Sequence, residues 1–292
     1  MTSHIKTLWQ QDFCDVVRCD YCGFCYSYPY IAGDARFYTL AYEREGYPKW
    51  KWEHQLTSDA LSQSKNFTLL EIGAGDGTFL KGISPSLTAK EHVLCTEYSD
   101  YGKREIEKYG IQCLAQDVRT IETEQFHGYF NVICMFQVIE HMDQLDLLFQ
   151  RLNWLSRPNA SLFISVPNPK LIEFAELNGG LLDMPPNHIG RWNKDCFEKI
   201  GKCWRWEIEG YEIENNSLPS KAMLFCKYRF WRESQHYNTF ANRVLQIKNG
   251  HLKKGMQAVG LGLYALASLP QLVPLQSPEL GFSQWVHLRK MD

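Results

Sequence analysis

What this chain lacks narrows its role before any motif is weighed. It has no excess of basic charge: 31 Lys and Arg stand against 33 Asp and Glu, for a formal net charge of −2. Proteins that bind phosphate backbones show a basic face, so a nucleic-acid substrate is not expected. The nine tryptophans and fifteen tyrosines are scattered and do not gather into a stacking platform for bases. No apolar run reaches the roughly 20 residues that a membrane-spanning helix needs. The nearest candidate, 256–269, stops at Pro270 and Pro274 and is expected to be a buried or lid helix, with Lys253 and Lys254 leaving room for shallow lipid contact. The opening residues Met1 to Thr7 lack the apolar core of a secretory signal. Reduced cysteines and a cytoplasmic location are therefore expected. A second Cys-x-x-Cys is missing too. Cys19 and Cys22 form one knuckle of a zinc ribbon, but only Cys14 precedes them, and Cys25 completes a set too cramped for a closed tetrahedral site. No metal ligands are assigned, and zinc is not expected.

The most informative stretch present is Leu69-Leu70-Glu71-Ile72-Gly73-Ala74-Gly75-Asp76-Gly77-Thr78. Residues 67–72 are a short apolar run of the kind a buried parallel strand shows. Gly73, Gly75 and Gly77 then strip the Cβ atoms from the turn, which lets backbone amides approach a ligand closely. A dinucleotide-binding turn begins in the same way but needs a third glycine where this chain has Thr78. Glu71 suits a ligand carrying an ammonium and a sulfonium better than one carrying two phosphates.

Three more strand ends follow. Residues 92–97 end in Glu97, about twenty residues past the glycine turn, where a carboxylate can accept bonds from both hydroxyls of a ribose. The alternative is an acid at a helix start, since Ser99 can cap the helix that Gly110 ends. Residues 111–116 lead to Asp117 and Val118, and residues 130–136 run through Phe136 into Gln137, Val138, Ile139, Glu140 and His141. In an open parallel sheet, ligands bind outside the carboxyl ends of the strands, so these ends can line one crevice. Cys95 and Cys134, inside apolar runs, are expected to be small buried hydrophobes.

With these motifs in order, the chain resembles class I S-adenosylmethionine-dependent methyltransferases. The Val-Ile-Glu-His segment and the strand Phe163 to Asn168 are similar to the branch that acts on small molecules and sugars. The resemblance covers 67–169 and weakens beyond, although the segment 185–192 also resembles that branch. It implies S-adenosylmethionine as cofactor, with Glu71, Gly73, Ala74, Gly75 and Gly77 beside its methionine part. It further implies Glu97 on the ribose, Asp117 near the adenine amino group, Val118 packed on the purine, and Phe136 and Gln137 lining the same crevice. Relatives carry a zinc ribbon of which Cys19 and Cys22 would be one half.

The rest of the chain is placed around that core. Asp143 can cap a helix with apolar positions Leu145, Leu148, Phe149, Leu152 and Leu155, ended by Pro158 and Asn159, after which 160–166 forms a fifth strand. Residues 204–213 read as strand six and 281–290 as strand seven. The fold class expected is α/β: a doubly wound, Rossmann-like seven-stranded sheet, its last strand antiparallel by family analogy. Residues 1–60 form a cysteine- and aromatic-rich cap, 61–217 the cofactor-binding core, 218–275 a helical insertion of two or three helices, and 276–292 the final strand. Tyr38 and Tyr42 in the cap are expected nearest the substrate. His141 and His188 are the candidates for catalysis, the latter in a loop with Arg191 and Trp192 that could fold over the acceptor. Either histidine could equally brace its own loop or helix. The function expected is methyl transfer to a small-molecule acceptor, such as a sugar or sugar-nucleotide hydroxyl. The alternative is a methyltransferase-like binding subunit without turnover.

Overall fold

The computed structural model describes residues 2–34, 37, 49–62, 67–84, 92–267 and 273–292. Tyr38 and Tyr42, the cap residues expected nearest the substrate, lie outside the described residues. The chain divides into two compact units. The first is Met1–Val166, Pro185–Glu212 and Gln284–Asp292; the second is Pro167–Met184 and Ile213–Ser283.

In the first unit a helix, Thr2–Trp9 (α1), precedes the strands Asp15–Arg18 (β1) and Cys25–Tyr28 (β2). The two strands pair antiparallel, Asp15 opposite Tyr28 and Arg18 opposite Cys25. The turn between them is the cysteine knuckle, closed by Cys19 N–H to Phe24 C=O (2.8 Å) and Gly23 N–H to Cys19 C=O (2.8 Å). Helix α2 is Trp52–Leu61.

The alternation that follows builds the central sheet: Leu69–Ile72 (β3), Thr78–Ile83 (α3), Val93–Thr96 (β4), Asp100–Glu107 (α4), Gln112–Leu114 (β5), Phe130–Phe136 (β6), Leu145–Leu155 (α5) and Ser156–Pro167 (β7). The strand order β5-β4-β3-β6-β7 is parallel, with Leu69 beside both Val93 and Val132. Side chains alternate across it with period two. Leu70, Ile72, Leu94, Ile133 and Met135 enter one core, while Leu69, Cys95, Val132, Cys134 and Phe136 enter the other. Both faces are therefore buried, as a sheet wound on both sides requires, and Cys95 and Cys134 are the small core residues expected of them.

Two local expectations are corrected. Asp143 does not cap α5: the capping position is Gln144, in the left-handed region at φ 48°, while the Asp143 carboxylate accepts from Ala32 N–H (2.9 Å) and Arg119 (2.7 Å). The helix also ends at Leu155, before Pro158, and β7 begins at Ser156 with an irregularity in its pairing that Asn159, at φ 58°, accommodates. The short strand Gly190–Arg191 (β8) joins β2 in a second, three-stranded sheet.

Helix Pro169–Leu177 (α6) belongs to the second unit, and Lys194–Trp204 (α7) and most of Trp206–Ile213 (β9) to the first. The insertion contributes Leu218–Ser234 (α8), Phe240–Leu245 (α9) and Gly250–Ala267 (α10), and Ser283–Lys290 (β10) returns to the sheet between β7 and β9 as its antiparallel strand. Phe225 and Cys226 pack with Leu275, and Phe230 with Ala241 and Val244. Of the two forms expected for this segment, buried or lid helix, the fully buried one does not describe α10. Tyr264 and Ala265 face the insertion core, whereas Val259, Leu263 and Leu266 are exposed. Among the described residues no helix is long and apolar enough to cross a membrane.

Candidate active site

The glycine turn after β3 lies against the end of β4, and its amides hold it there. Gly73 N–H donates to Thr96 Oγ1 (3.3 Å), Ala74 N–H to Thr96 C=O (3.0 Å) and Gly75 N–H to Glu97 Oε2 (2.9 Å). Gly73, Gly75 and Gly77 all have positive φ, at 69°, 57° and 77°, a conformation that side chains resist. The other oxygen of Glu97 accepts from Ser99 N–H at 2.8 Å. Glu97 thus bridges the turn and the start of α4, which Ser99 caps by accepting from Gly102 N–H (3.0 Å).

Gly102 was not singled out from sequence, yet its lack of a side chain lets α4 meet the turn. A Cβ there would lie 2.2 Å from the Gly75 carbonyl oxygen and 2.8 Å from Glu97 Cγ. Backbone has to move to admit it. Gly102→Ala is therefore expected to destabilise the fold by about 1–3 kcal/mol, the usual range for overpacking, and to weaken binding of S-adenosylhomocysteine. Wild-type values for both the Tm and the Kd would refute that packing argument.

Glu71 supplies the charge of this end of the crevice. It is 3% exposed, and its Oε2 has no hydrogen-bond partner among the described residues. Burial pushes its pKa well above the ordinary carboxylate range, and the neighbouring charges of Glu97 and Asp76 push it further. A cationic group placed against these carboxylates would offset both effects, so the residues fit the ammonium and sulfonium of S-adenosylmethionine. The sign for stability follows from the raised pKa. Folding favours the protonated carboxyl, so its contribution is complete below the ordinary carboxylate range and is lost as pH rises through the raised value. Glu71→Gln cannot ionise, and ligand-free Glu71→Gln is expected to lose less Tm than the wild type as pH rises from the ordinary carboxylate range upward. Superimposable Tm-versus-pH curves would contradict this.

At the other end, Val118 is buried at the start of a short turn, Val118–Thr120, that Asp117 caps. The Asp117 carboxylate already has a partner. Arg119 reaches it through Nε (2.9 Å) and Nη2 (2.5 Å), and reaches Asp143 through Nη1 (2.7 Å). Burial opposes ionisation of Asp117, but the bonds from Arg119 hold its pKa below the usual range. An adenine amino group would have to share that carboxylate.

Phe136 and Gln137 close the end of β6. Gln137 has φ 57°, a left-handed conformation stored at the crevice, and its N–H donates to the Ser165 carbonyl (2.9 Å). Its Nε2 donates to Ser165 Oγ (3.4 Å), which in turn donates to Glu53 (3.5 Å). Glu53 is 1% exposed, and its neighbour His54 stacks edge-on against Phe136 at 4.9 Å. Burial, aided by the Lys51 charge, lowers the His54 pKa to about 4. Neither residue was anticipated, because a single helical turn of α2 carries no motif.

His141 and His188, far apart in sequence, meet. Their rings lie 4.7 Å apart at 69°. The bracing alternative for His141 takes a different form from the one expected: its Nδ1 lies 2.6 Å from the Asn187 carbonyl, which binds it to the loop of His188 and not to α5. Burial, and next the His188 charge, lower its pKa to about 3. Its Nε2 lies 3.9 Å from Glu140 Oε1, and Glu140 is 1% exposed. The loop is pinned by Ile189 N–H to the Glu140 carbonyl (2.9 Å) and by β8 pairing with β2. The N-terminal hairpin therefore serves to hold His188 beside the end of β6. Trp192, from the loop expected to fold over the acceptor, is itself buried between Phe24 (4.7 Å) and Phe197 (5.1 Å) as a core residue. Among the described residues the cysteines of the knuckle do not converge as a metal-holding group; Cys22 instead accepts, through its carbonyl, from Cys196 Sγ at 3.3 Å.

The parallel sheet with its antiparallel last strand, and the glycine turn over the strand ends, define the class I methyltransferase fold. Residues 42–246, more than half of the chain, match the family described as "Methyltransferase domain", and the chain belongs to that family. It is a class I S-adenosylmethionine-dependent methyltransferase. Its fold is similar to that of an S-adenosylmethionine-dependent methyltransferase from Mesorhizobium loti (TM-score 0.51, 10% identity, 82% of this chain and 98% of that one). It is also similar to one from Archaeoglobus fulgidus (TM-score 0.50, 12% identity, 87% and 99%). A third likeness is to phosphoethanolamine N-methyltransferase 2 of Haemonchus contortus, solved with S-adenosyl-L-methionine (TM-score 0.50, 14% identity, 88% and 57%). At such identities the likeness is one of fold. No curated protein matches the sequence.

Proposed function

We propose that this enzyme transfers a methyl group to a hydroxyl of a small molecule of the sugar or sugar-nucleotide class, in the cytoplasm. The cofactor is held at its methionine end by Glu71, Gly73, Ala74, Gly75 and Gly77, on its ribose by Glu97, and at its adenine end by Asp117 and Val118, with Phe136 and Gln137 lining the same crevice. Bound S-adenosylmethionine supplies an electrophilic methyl carbon on a positively charged sulfur. The chain's own contribution is first positional, and alignment of two reactants can supply about 7–11 kcal/mol of a barrier.

The observation that carries the acceptor assignment is the meeting of His141 and His188 beside buried Glu140 at the end of β6. A hydroxyl has a proton to lose as it is methylated, and a thioether acceptor has none, so a pair of imidazoles beside a carboxylate suits an acceptor that must be deprotonated. The His141–Asn187 bond fixes the tautomer: Nδ1 donates to the carbonyl, so Nε2 carries the lone pair. A tritium-methyl transfer screen over sugars, sugar nucleotides and hydroxylated controls tests the reading. Transfer to a hydroxylated acceptor is expected. Tight cofactor binding without transfer to any acceptor would favour a non-catalytic binding subunit.

A further inference from the structure

We propose that Glu140, His141 and His188 form a binding site for a divalent cation, whose remaining coordination positions the acceptor's oxygens complete. This deepens the reading above and depends on it only for the nature of the acceptor.

Three observations support the site. First, one ligand atom from each of the three side chains lies within 4.8 Å of the others, and among the described residues no other group of three histidine, cysteine or acidic side chains meets that condition. Two imidazoles suit zinc and iron, and the carboxylate together with open positions for oxygen ligands also admits the harder manganese(II). Second, the supporting shell is in place. Ligating histidines characteristically donate their second ring nitrogen to a backbone carbonyl, which fixes the ring and raises its basicity. His141 Nδ1 makes that bond to Asn187, which turns Nε2 toward Glu140 at 3.9 Å. Third, the two ligand-bearing segments are joined by main chain, through Ile189 N–H to the Glu140 carbonyl (2.9 Å), and the β2–β8 pairing pins the strand after His188 to the N-terminal hairpin. The site is preformed and does not require loops to assemble around the ion.

The chemistry of the cluster points the same way. The bond from Nδ1–H to the Asn187 carbonyl leaves the lone pair on His141 Nε2, the nitrogen nearer Glu140, available to a Lewis acid. Three protein ligands leave positions open for water or substrate, the arrangement of catalytic rather than structural sites. A hydroxyl oxygen held there loses its proton more readily than in water.

The test uses the full chain, stripped with a chelator and titrated with manganese(II) while the signal of the free aqueous ion is followed by electron paramagnetic resonance. The wild type is expected to take up one equivalent. His188→Gln and Glu140→Gln should each weaken uptake at least about tenfold, with S-adenosylhomocysteine titrations on the same samples reporting that the fold is intact. No uptake by the wild type, or uptake unchanged in both variants, overturns the site. The two readings fail separately. One equivalent of bound manganese without methyl transfer to any hydroxylated acceptor supports the cation site and defeats the acceptor assignment. Undiminished transfer after chelation, with no uptake, defeats the cation site and leaves that assignment standing.

Discussion

Glu97→Ala is expected to bind S-adenosylhomocysteine about 10- to 100-fold more weakly than the wild type, in calorimetric titration of a variant whose circular dichroism is unchanged. The magnitude follows from the bonds lost. A charge-assisted hydrogen bond contributes about 1.5–3 kcal/mol, and each 1.4 kcal/mol is tenfold in affinity. Glu97 has two duties that truncation removes together. It holds the glycine turn by accepting from Gly75 N–H at 2.9 Å, and it presents a carboxylate at the end of β4, where the ribose is proposed to lie. Glu97→Gln keeps the length and one acceptor oxygen, so it should fall between the two. An unchanged Kd in correctly folded Glu97→Ala would remove Glu97 from the binding site.

The second large effect is expected in turnover. His188→Ala should lower kcat by about 10²–10⁴-fold, the range associated with a lost proton-transfer or charge-stabilising group, while the Kd for S-adenosylhomocysteine changes little. The separation arises because His188 sits with His141 and Glu140 past the end of β6, whereas most of the proposed cofactor contacts come from the ends of β3, β4 and β5. Loss of the imidazole also removes the ring packed at 4.7 Å from His141, so His188→Asn, which keeps a polar group in the loop, is the companion variant. A kcat within twofold of wild type in both would take His188 out of the chemistry.

The sheet and the glycine turn after β3 could be read from sequence because their signals are local. Apolar runs of a few residues gave β3, β4 and β6, glycine spacing gave the turn, and Ser99 was correctly expected to cap α4. What could not be read depends on contacts between distant segments. Nothing near Asp117 announces that Arg119 would also grip Asp143, or that Gly102 must be bare because Gly75 approaches it. Trp192, in the loop expected to fold over the acceptor, is drawn into the core by Phe24 and Phe197, one of them 168 positions upstream and the other five downstream. Glu53 and His54 belong to a helix whose position against Phe136 no periodicity encodes. α10 shows the converse: composition allowed a buried or a lid helix, but only one of its faces found partners, and Val259, Leu263 and Leu266 stay exposed.

The central claim is that the cofactor lies over the strand ends between the glycine turn and Glu97, and a crystal structure of the chain with S-adenosylhomocysteine tests it most directly. The ribose hydroxyls should sit within hydrogen-bonding distance of the Glu97 carboxylate, with the amino-acid end beside Glu71 and Gly75. Nucleoside density anywhere else, with the space above Gly75 and Glu97 filled by the protein's own side chains, would contradict it.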